Sequence, residues 1–125
     1  MKQIILFLMA LCFSVSTAHA AKANQTPFAV RQADGSTLMV VLHGDESYSW
    51  YTTLDGVMLS HVNQSFFISS INQQGLLLPT TQLAHEASQR TATEQQLVKA
   101  QTPLKPIFQK EASRRLSKAR ATATP

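Results

Sequence analysis

Phe28-Ala29-Val30-Arg31-Gln32, Ala33-Asp34-Gly35-Ser36 and Thr37-Leu38-Met39-Val40-Val41-Leu42 are the stretch that decides the fold. The first five residues alternate large with small or polar, as a strand does. Asp34-Gly35 supplies a residue that tolerates positive φ, so the four-residue piece is a turn. In the second strand Leu38, Val40 and Leu42 share one face while Met39 and Val41 share the other. Both faces are apolar, so this strand is expected to be central or covered on both sides.

Working outward, the pattern repeats. His43-Gly44-Asp45-Glu46 interrupts it, and Tyr48, Trp50 and Tyr51 resume it with Ser and Thr between them. Leu54-Asp55-Gly56 is a second Asp-Gly turn, followed by a short strand over 57–60. His61 to Ser65 turns the chain, Phe66 to Ser70 is a further strand, and Asn72 to Gly75 turns again before Leu76-Leu77-Leu78. Turn signals at roughly 8–12-residue spacing describe a small antiparallel meander. Helix is expected only afterwards: Thr91 and Glu94 have capping-box spacing, and Thr93 to Ala100 continues with Leu97 as anchor. Pro103 and Pro106 are read as stopping regular structure; Phe108 to Arg120 has the alternative of a basic helix around Ile107, Phe108 and Leu116, set aside because Ala, Ser and Thr dominate the end. The expected class is therefore α+β and β-rich, with five or six short strands, a short C-terminal helix, and a basic linker or disordered tail over 101–125.

The 125-residue chain begins with a short positive start, an apolar run over 4–13, and Ala18-His19-Ala20, a small-x-small cleavage pattern. This reads as a signal peptide over 1–20, cut after Ala20, with a flexible lead over 21–26 and a folded domain over 27–100. The run is about half of the ~20 residues a membrane crossing needs, and no second apolar segment follows. Secreted or periplasmic localisation is expected, with no transmembrane segment after cleavage. Cys12 is the sole cysteine and lies in the leader, so no intrachain disulfide framework is possible.

The net charge of +4 is unevenly spread. Residues 21–98 carry Lys22, Arg31 and Arg90 against Asp34, Asp45, Glu46, Asp55, Glu86 and Glu94. Residues 99–125 carry seven basic side chains against Glu111 alone. The basic character belongs to the tail, which argues against a nucleic-acid partner for the folded part. The tail itself has three readings: contact with an anionic surface, a linker cut by a trypsin-like protease, or a solvated segment.

Several residues are of types that carry chemistry. His43, Asp45, Glu46 and His61 are metal-capable, but zinc needs three or four convergent ligands. The structural alternative is that Gly44 permits a bend while Asp45 or His43 bonds loop amides. His85-Glu86-Ala87-Ser88-Gln89 has Gln where the zinc-peptidase helix needs a second His. No Gly-x-Ser-x-Gly elbow and no phosphate-binding glycine pattern occur. Asn24-Gln25-Thr26 and Asn63-Gln64-Ser65 match the glycosylation acceptor pattern. Tyr48, Trp50, Tyr51, Phe66 and Phe67 are expected chiefly as core, with an exposed binding strip as the alternative.

Val30-Arg31-Gln32-Ala33-Asp34-Gly35-Ser36-Thr37-Leu38, Leu42-His43-Gly44-Asp45-Glu46, Tyr48-Ser49-Trp50 and Thr53-Leu54-Asp55-Gly56, closed by Ala84-His85-Glu86 and Arg90, resemble the N-terminal region of secreted M6-type zinc metallopeptidases, the immune inhibitor A-like group. The likeness covers roughly residues 28–94. It implies a propeptide-like region whose partner is a zinc peptidase catalytic domain, in cis or in trans. The family's His-Glu-x-x-His helix has no counterpart in this sequence, so no catalytic residue, metal ligand or cofactor carries over; zinc would belong to the catalytic domain. The resemblance implies either a truncated protease or a stand-alone relative. His43, Gly44, Asp45, Glu46, Trp50, Asp55 and Gly56 are the expected docking or structural-loop residues. The alternative is a secreted or periplasmic binding module using exposed aromatic strands.

Overall fold

The computed structural model describes residues 25–123. The expected signal peptide, with its cleavage residues Ala18 and Ala20, lies outside the described residues. Six strands form one antiparallel sheet in sequence order: β1 (Phe28–Arg31), β2 (Thr37–Gly44), β3 (Ser49–Thr53), β4 (Met58–Val62), β5 (Ser65–Ile71) and β6 (Leu77–Leu83). Helix α1 (Ala92–Gln101) and helix α2 (Lys105–Ala123) follow, separated by a 3-10 turn over Thr102–Leu104. The meander expected from the sequence is thus present, with the β4–β5 reversal confined to Asn63 and Gln64 at positive φ.

Three hairpins share one turn. Gln32–Ser36, Thr53–Val57 and Asn72–Leu76 each close with a bond from the first residue's N–H to the fifth residue's carbonyl. In each, the fourth residue is glycine, and its N–H donates to the first residue's carbonyl. These glycines have φ of +86°, +86° and +81°. The result is a type I turn with a following left-handed glycine, which suits the right-handed twist of the flanking strands.

Alternation along the paired strands assigns the two faces. Val40 opposes Thr53, Tyr51 opposes Leu59, and Leu59 opposes Ile68, so these residues share one face. That face holds the first core cluster: Leu38, Val40, Val57, Leu59, Phe66, Ile68 and Ala84, with Leu97 and Val98 of α1 packed against it. The opposite face holds Met58 and Ile71 with Phe108 and Ala112 of α2, joined by Tyr48, Trp50, Leu77 and Leu104. In β2, Leu38 and Val40 are fully buried while Met39 and Val41 on the other face are half-buried.

The chain after β6 therefore crosses from one face of the sheet to the other. Its path corrects the reading of 101–125 as a linker or disordered tail. Pro103 lies in the 3-10 turn and Pro106 in the first turn of α2, where a missing N–H removes no helical bond. Phe108, fully buried, supplies the anchor that the Ala, Ser and Thr content of the segment obscures. Pro79 is accommodated because β6 is an edge strand. The β5–β6 register shifts between Phe67 and Ser69, and the Thr80 hydroxyl donates to the Ile68 carbonyl at 2.6 Å there.

Two glutamines pin this path. Gln32, 3 % exposed, donates to the carbonyls of Phe66 and Ala84 at 2.7 and 2.9 Å and accepts from the Phe66 N–H at 2.9 Å. Gln101, 1 % exposed, donates to the carbonyls of Met58 and Ser69 at 2.9 and 2.6 Å and accepts from the Met58 N–H at 2.9 Å. A carboxamide carries both donor and acceptor, so each side chain substitutes for a peptide group of a neighbouring strand. Gln32 ties the end of β1 to β5 and the end of β6. Gln101 ties α1 to β4 and β5. Among the described residues no helix is long and apolar enough to cross a membrane.

Candidate functional site

The loop Gly44–Tyr48 contains Gly44, Asp45 and Glu46, and His43 and Trp50 flank it. Gly44 has φ +92°, and a Cβ there would lie 2.1 Å from the Tyr48 carbonyl oxygen, so only glycine fits. Asp45 accepts from the Ser47 and Tyr48 N–H groups at 2.8 and 3.3 Å, and its own N–H donates to the Tyr48 carbonyl at 3.0 Å. Its carboxylate is spent on shaping the loop. Glu46 is exposed at the tip. The His43 ring stacks on Trp50, 5.8 Å between centroids and 10° between planes, with Nε2 2.7 Å from the Thr52 hydroxyl. Burial pushes the His43 pKa down, which favours the neutral ring. Trp50 in turn meets the buried Phe108 edge-on at 5.2 Å.

His61 does not join this group. It opposes Phe66 on the α1-side face, whereas His43 opposes Trp50 on the α2-side face. The sheet separates His61 from His43. Among the described residues no group of three or more His, Cys, Asp or Glu side chains could hold a metal ion.

The strongest polar cluster lies elsewhere and was not assembled from the sequence. His85 places Nε2 2.6 Å from Asp34 in the β1–β2 turn and Nδ1 2.7 Å from Glu94 in α1. The His85 N–H also donates to Glu94 at 2.8 Å. Arg90 donates to Asp55 in the β3–β4 turn through two nitrogens, at 2.7 and 2.8 Å, with Nε 3.9 Å from Glu94. Glu86 accepts from the Met39 N–H of β2 at 2.7 Å. Thr91 caps α1 by accepting from the Glu94 N–H, as the sequence spacing predicts, but the fully buried Glu94 carboxylate turns to His85 rather than back to the cap.

The charges respond accordingly. Hydrogen bonds from Ser36 and then His85 hold Asp34 well below the usual carboxylate range, and Arg90, helped by Thr53, does the same for Asp55. For His85, burial pulls the pKa down, but the bonds and charges of Asp34 and Glu94 outweigh it and the net shift is upward. The signal for these pairs was present in the two Asp-Gly turns and in Ala84-His85-Glu86 with Arg90. What the sequence lacks is any indication that one set meets the other.

A third feature is an aromatic strip on the α1-side face. Phe28, 40 % exposed, meets Tyr51 edge-on at 6.3 Å; Tyr51 meets Phe66 at 5.0 Å and His61 at 5.9 Å. His61 stacks on Phe66 at 4.4 Å, and its outer side is exposed. Phe66 is core, Tyr51 half-buried, and Phe28 and His61 form the outward rim. Phe28 and His61 lie toward the end of the sheet that carries the Gly44–Tyr48 loop, as the strand directions require.

The fold and site thus define a six-stranded antiparallel meander whose C-terminal segment wraps both faces and is fastened by buried polar bonds. Comparison with protein-family models, with curated proteins and with solved structures finds no match.

Proposed function

We propose that this chain is a non-catalytic, exported domain of propeptide type that packs against, or masks, the catalytic domain of an M6-like zinc metallopeptidase. One observation carries the reading. The sequence pieces that resemble the M6 N-terminal region bind each other in space: Asp34 of the first Asp-Gly turn holds His85, and Asp55 of the second holds Arg90. The resemblance therefore runs through the fastenings of a folded unit rather than through reactive groups. The titratable side chains of the cluster are occupied in holding the chain's own elements together, which suits a packing role and not acid–base chemistry.

The docking surface we assign is the aromatic strip with Phe28, Tyr51 and His61, together with exposed Glu46. Of the docking residues expected from the sequence, His43 is stacked on Trp50, Trp50 packs on Phe108 of α2, and Asp45, Asp55 and Gly56 build turns. A partner burying Phe28 would gain apolar area and edge-on ring contacts. Isothermal titration of the purified protein against an M6-type catalytic domain tests the reading. Saturable binding weakened by Phe28→Ser supports it, and no heat at any concentration counts against it. The same strip favours a second reading, a free-standing binding module; binding of a peptide or sugar but not of the peptidase selects that one.

A further inference from the structure

His85 has both ring nitrogens within 2.7 Å of carboxylate oxygens, on opposite sides of the ring. A carboxylate offers only acceptors, so both contacts are hydrogen bonds only when both nitrogens carry protons. The geometry is that of an imidazolium shared between Asp34⁻ and Glu94⁻. Its two partners are unequal. Glu94 is fully buried and also receives the His85 backbone N–H. Asp34 has a side chain 43 % exposed, and its other oxygen is already held by the Ser36 N–H and hydroxyl.

We propose that His85 is a proton-operated latch: as imidazolium it fastens the β1–β2 turn to α1, and loss of one proton releases Asp34 to solvent while Glu94 stays held.

The choice of partner follows from desolvation. A buried carboxylate deprived of donors costs far more than an exposed one, because water can replace the imidazole at Asp34 but not at Glu94. The neutral ring therefore keeps its proton on Nδ1, facing Glu94, and its Nε2 lone pair then faces the Asp34 oxygen. That contact is repulsive, and the exposed Asp34 moves away. The other charged groups around His85 are accounted for. From its own segment, Glu86 is bonded to the Met39 N–H and Arg90 donates to the His85 carbonyl. Arg90 is committed to Asp55 of the β3–β4 turn. Asp34 from the β1–β2 turn and Glu94 from α1 are the groups that face the ring, and both favour its charged form. The latch is thus closed below the His85 titration, which these two carboxylates move upward from the ordinary histidine value, and opens as pH rises through it, without unfolding the turn. This mechanism does not depend on what the domain docks against.

Long-range proton–nitrogen correlation on the 15N-labelled protein reads both ring nitrogens across pH. The expected result is titration of His85 above the ordinary histidine value of 6.5, a neutral Nδ1–H tautomer, and loss of Overhauser contacts from the His85 ring to Asp34 above that point. Asp34→Asn, at an exposed position, should lower the His85 titration point and leave the Nδ1–H tautomer in place. Titration at or below 6.5, a neutral Nε2–H tautomer, or a titration point unmoved by Asp34→Asn would each overturn the latch.

Discussion

Arg90 grips Asp55 with two nitrogens at 2.7 and 2.8 Å, and so joins the segment before α1 to the β3–β4 turn, 35 residues earlier in the chain. The guanidinium side chain is 6 % exposed and the carboxylate 47 %. Planar, two-pronged bonding of this kind is specific to arginine. Arg90→Ala should lower unfolding stability by about 1–3 kcal/mol, toward the low end because Asp55 is partly screened by water. Arg90→Lys should recover only part of the loss. Urea midpoints for the two variants and for Asp55→Ala, combined as a double-mutant cycle, check the pair; a coupling energy near zero contradicts it.

Gln101 is the more demanding fastening, because it satisfies three backbone groups inside the protein. Gln101→Leu keeps the volume and leaves the Met58 N–H and the Met58 and Ser69 carbonyls without that partner. Each buried group left unpaired costs about 1–3 kcal/mol, so this single change should exceed any surface ion-pair deletion. Thermal unfolding of the variant, compared with Arg90→Ala, gives the order. Hydrogen exchange should also quicken at the Met58 amide.

Gly35 and Gly75 occupy the same place in equivalent turns, and their surroundings differ. A Cβ at Gly35 would meet nothing within 4 Å, while at Gly75 it would lie 2.7 Å from the Ile107 carbonyl oxygen and 2.9 Å from Glu111. Gly35→Ala should cost only the left-handed backbone penalty of about 1–2 kcal/mol. Gly75→Ala should cost more and displace α2, which near-ultraviolet circular dichroism of Trp50 against Phe108 would report. Equal destabilisation by the two would show that α2 does not rest on this turn.

The carboxylates set an acid limb. Asp34 and Asp55 are held below their ordinary value of 3.8 in the folded protein, and Glu111 is lowered to about 2 by Arg114 and Arg115. A depressed carboxylate contributes stability that is complete above its unfolded value and is lost as pH falls toward its folded value. Stability should therefore decline below about pH 4. Asp55→Asn should flatten that decline. Around neutral pH two histidines oppose each other. His85, raised, adds stability as pH falls. His43, lowered by burial, removes it. Denaturant midpoints between pH 2 and 8 should show a clear acid limb and only a shallow slope near neutrality.

The strands were legible in the sequence because turn signals separate short apolar or alternating runs, and three of the five hairpins are marked by Gly after Asp or Gln. Capping at Thr91 was legible for the same local reason. Helix α2 was only the alternative to a disordered tail: its burying residues, Phe108 and Ala112, are spaced one turn apart within a polar and basic run, and two prolines precede them. The polar fastenings were illegible for a different reason. Gln32 and Gln101 look like surface residues until the strands they bridge are in place, and Asp34 with His85 is a contact across 51 positions. The separation of His43 from His61 likewise depends on strand register, which residue type alone does not reveal.

The most direct test of the proposed role is the activity of an M6-type catalytic domain on a protein substrate, titrated with the purified protein. The account predicts that activity falls in a saturable manner. Phe28→Glu, which places a charge on the rim of the aromatic strip, should shift the titration to higher concentration, and Arg31→Glu, exposed on the same strand but on the other face, should not. Activity unchanged at saturating protein, or the same titration with Phe28→Glu as with the unaltered chain, would contradict it.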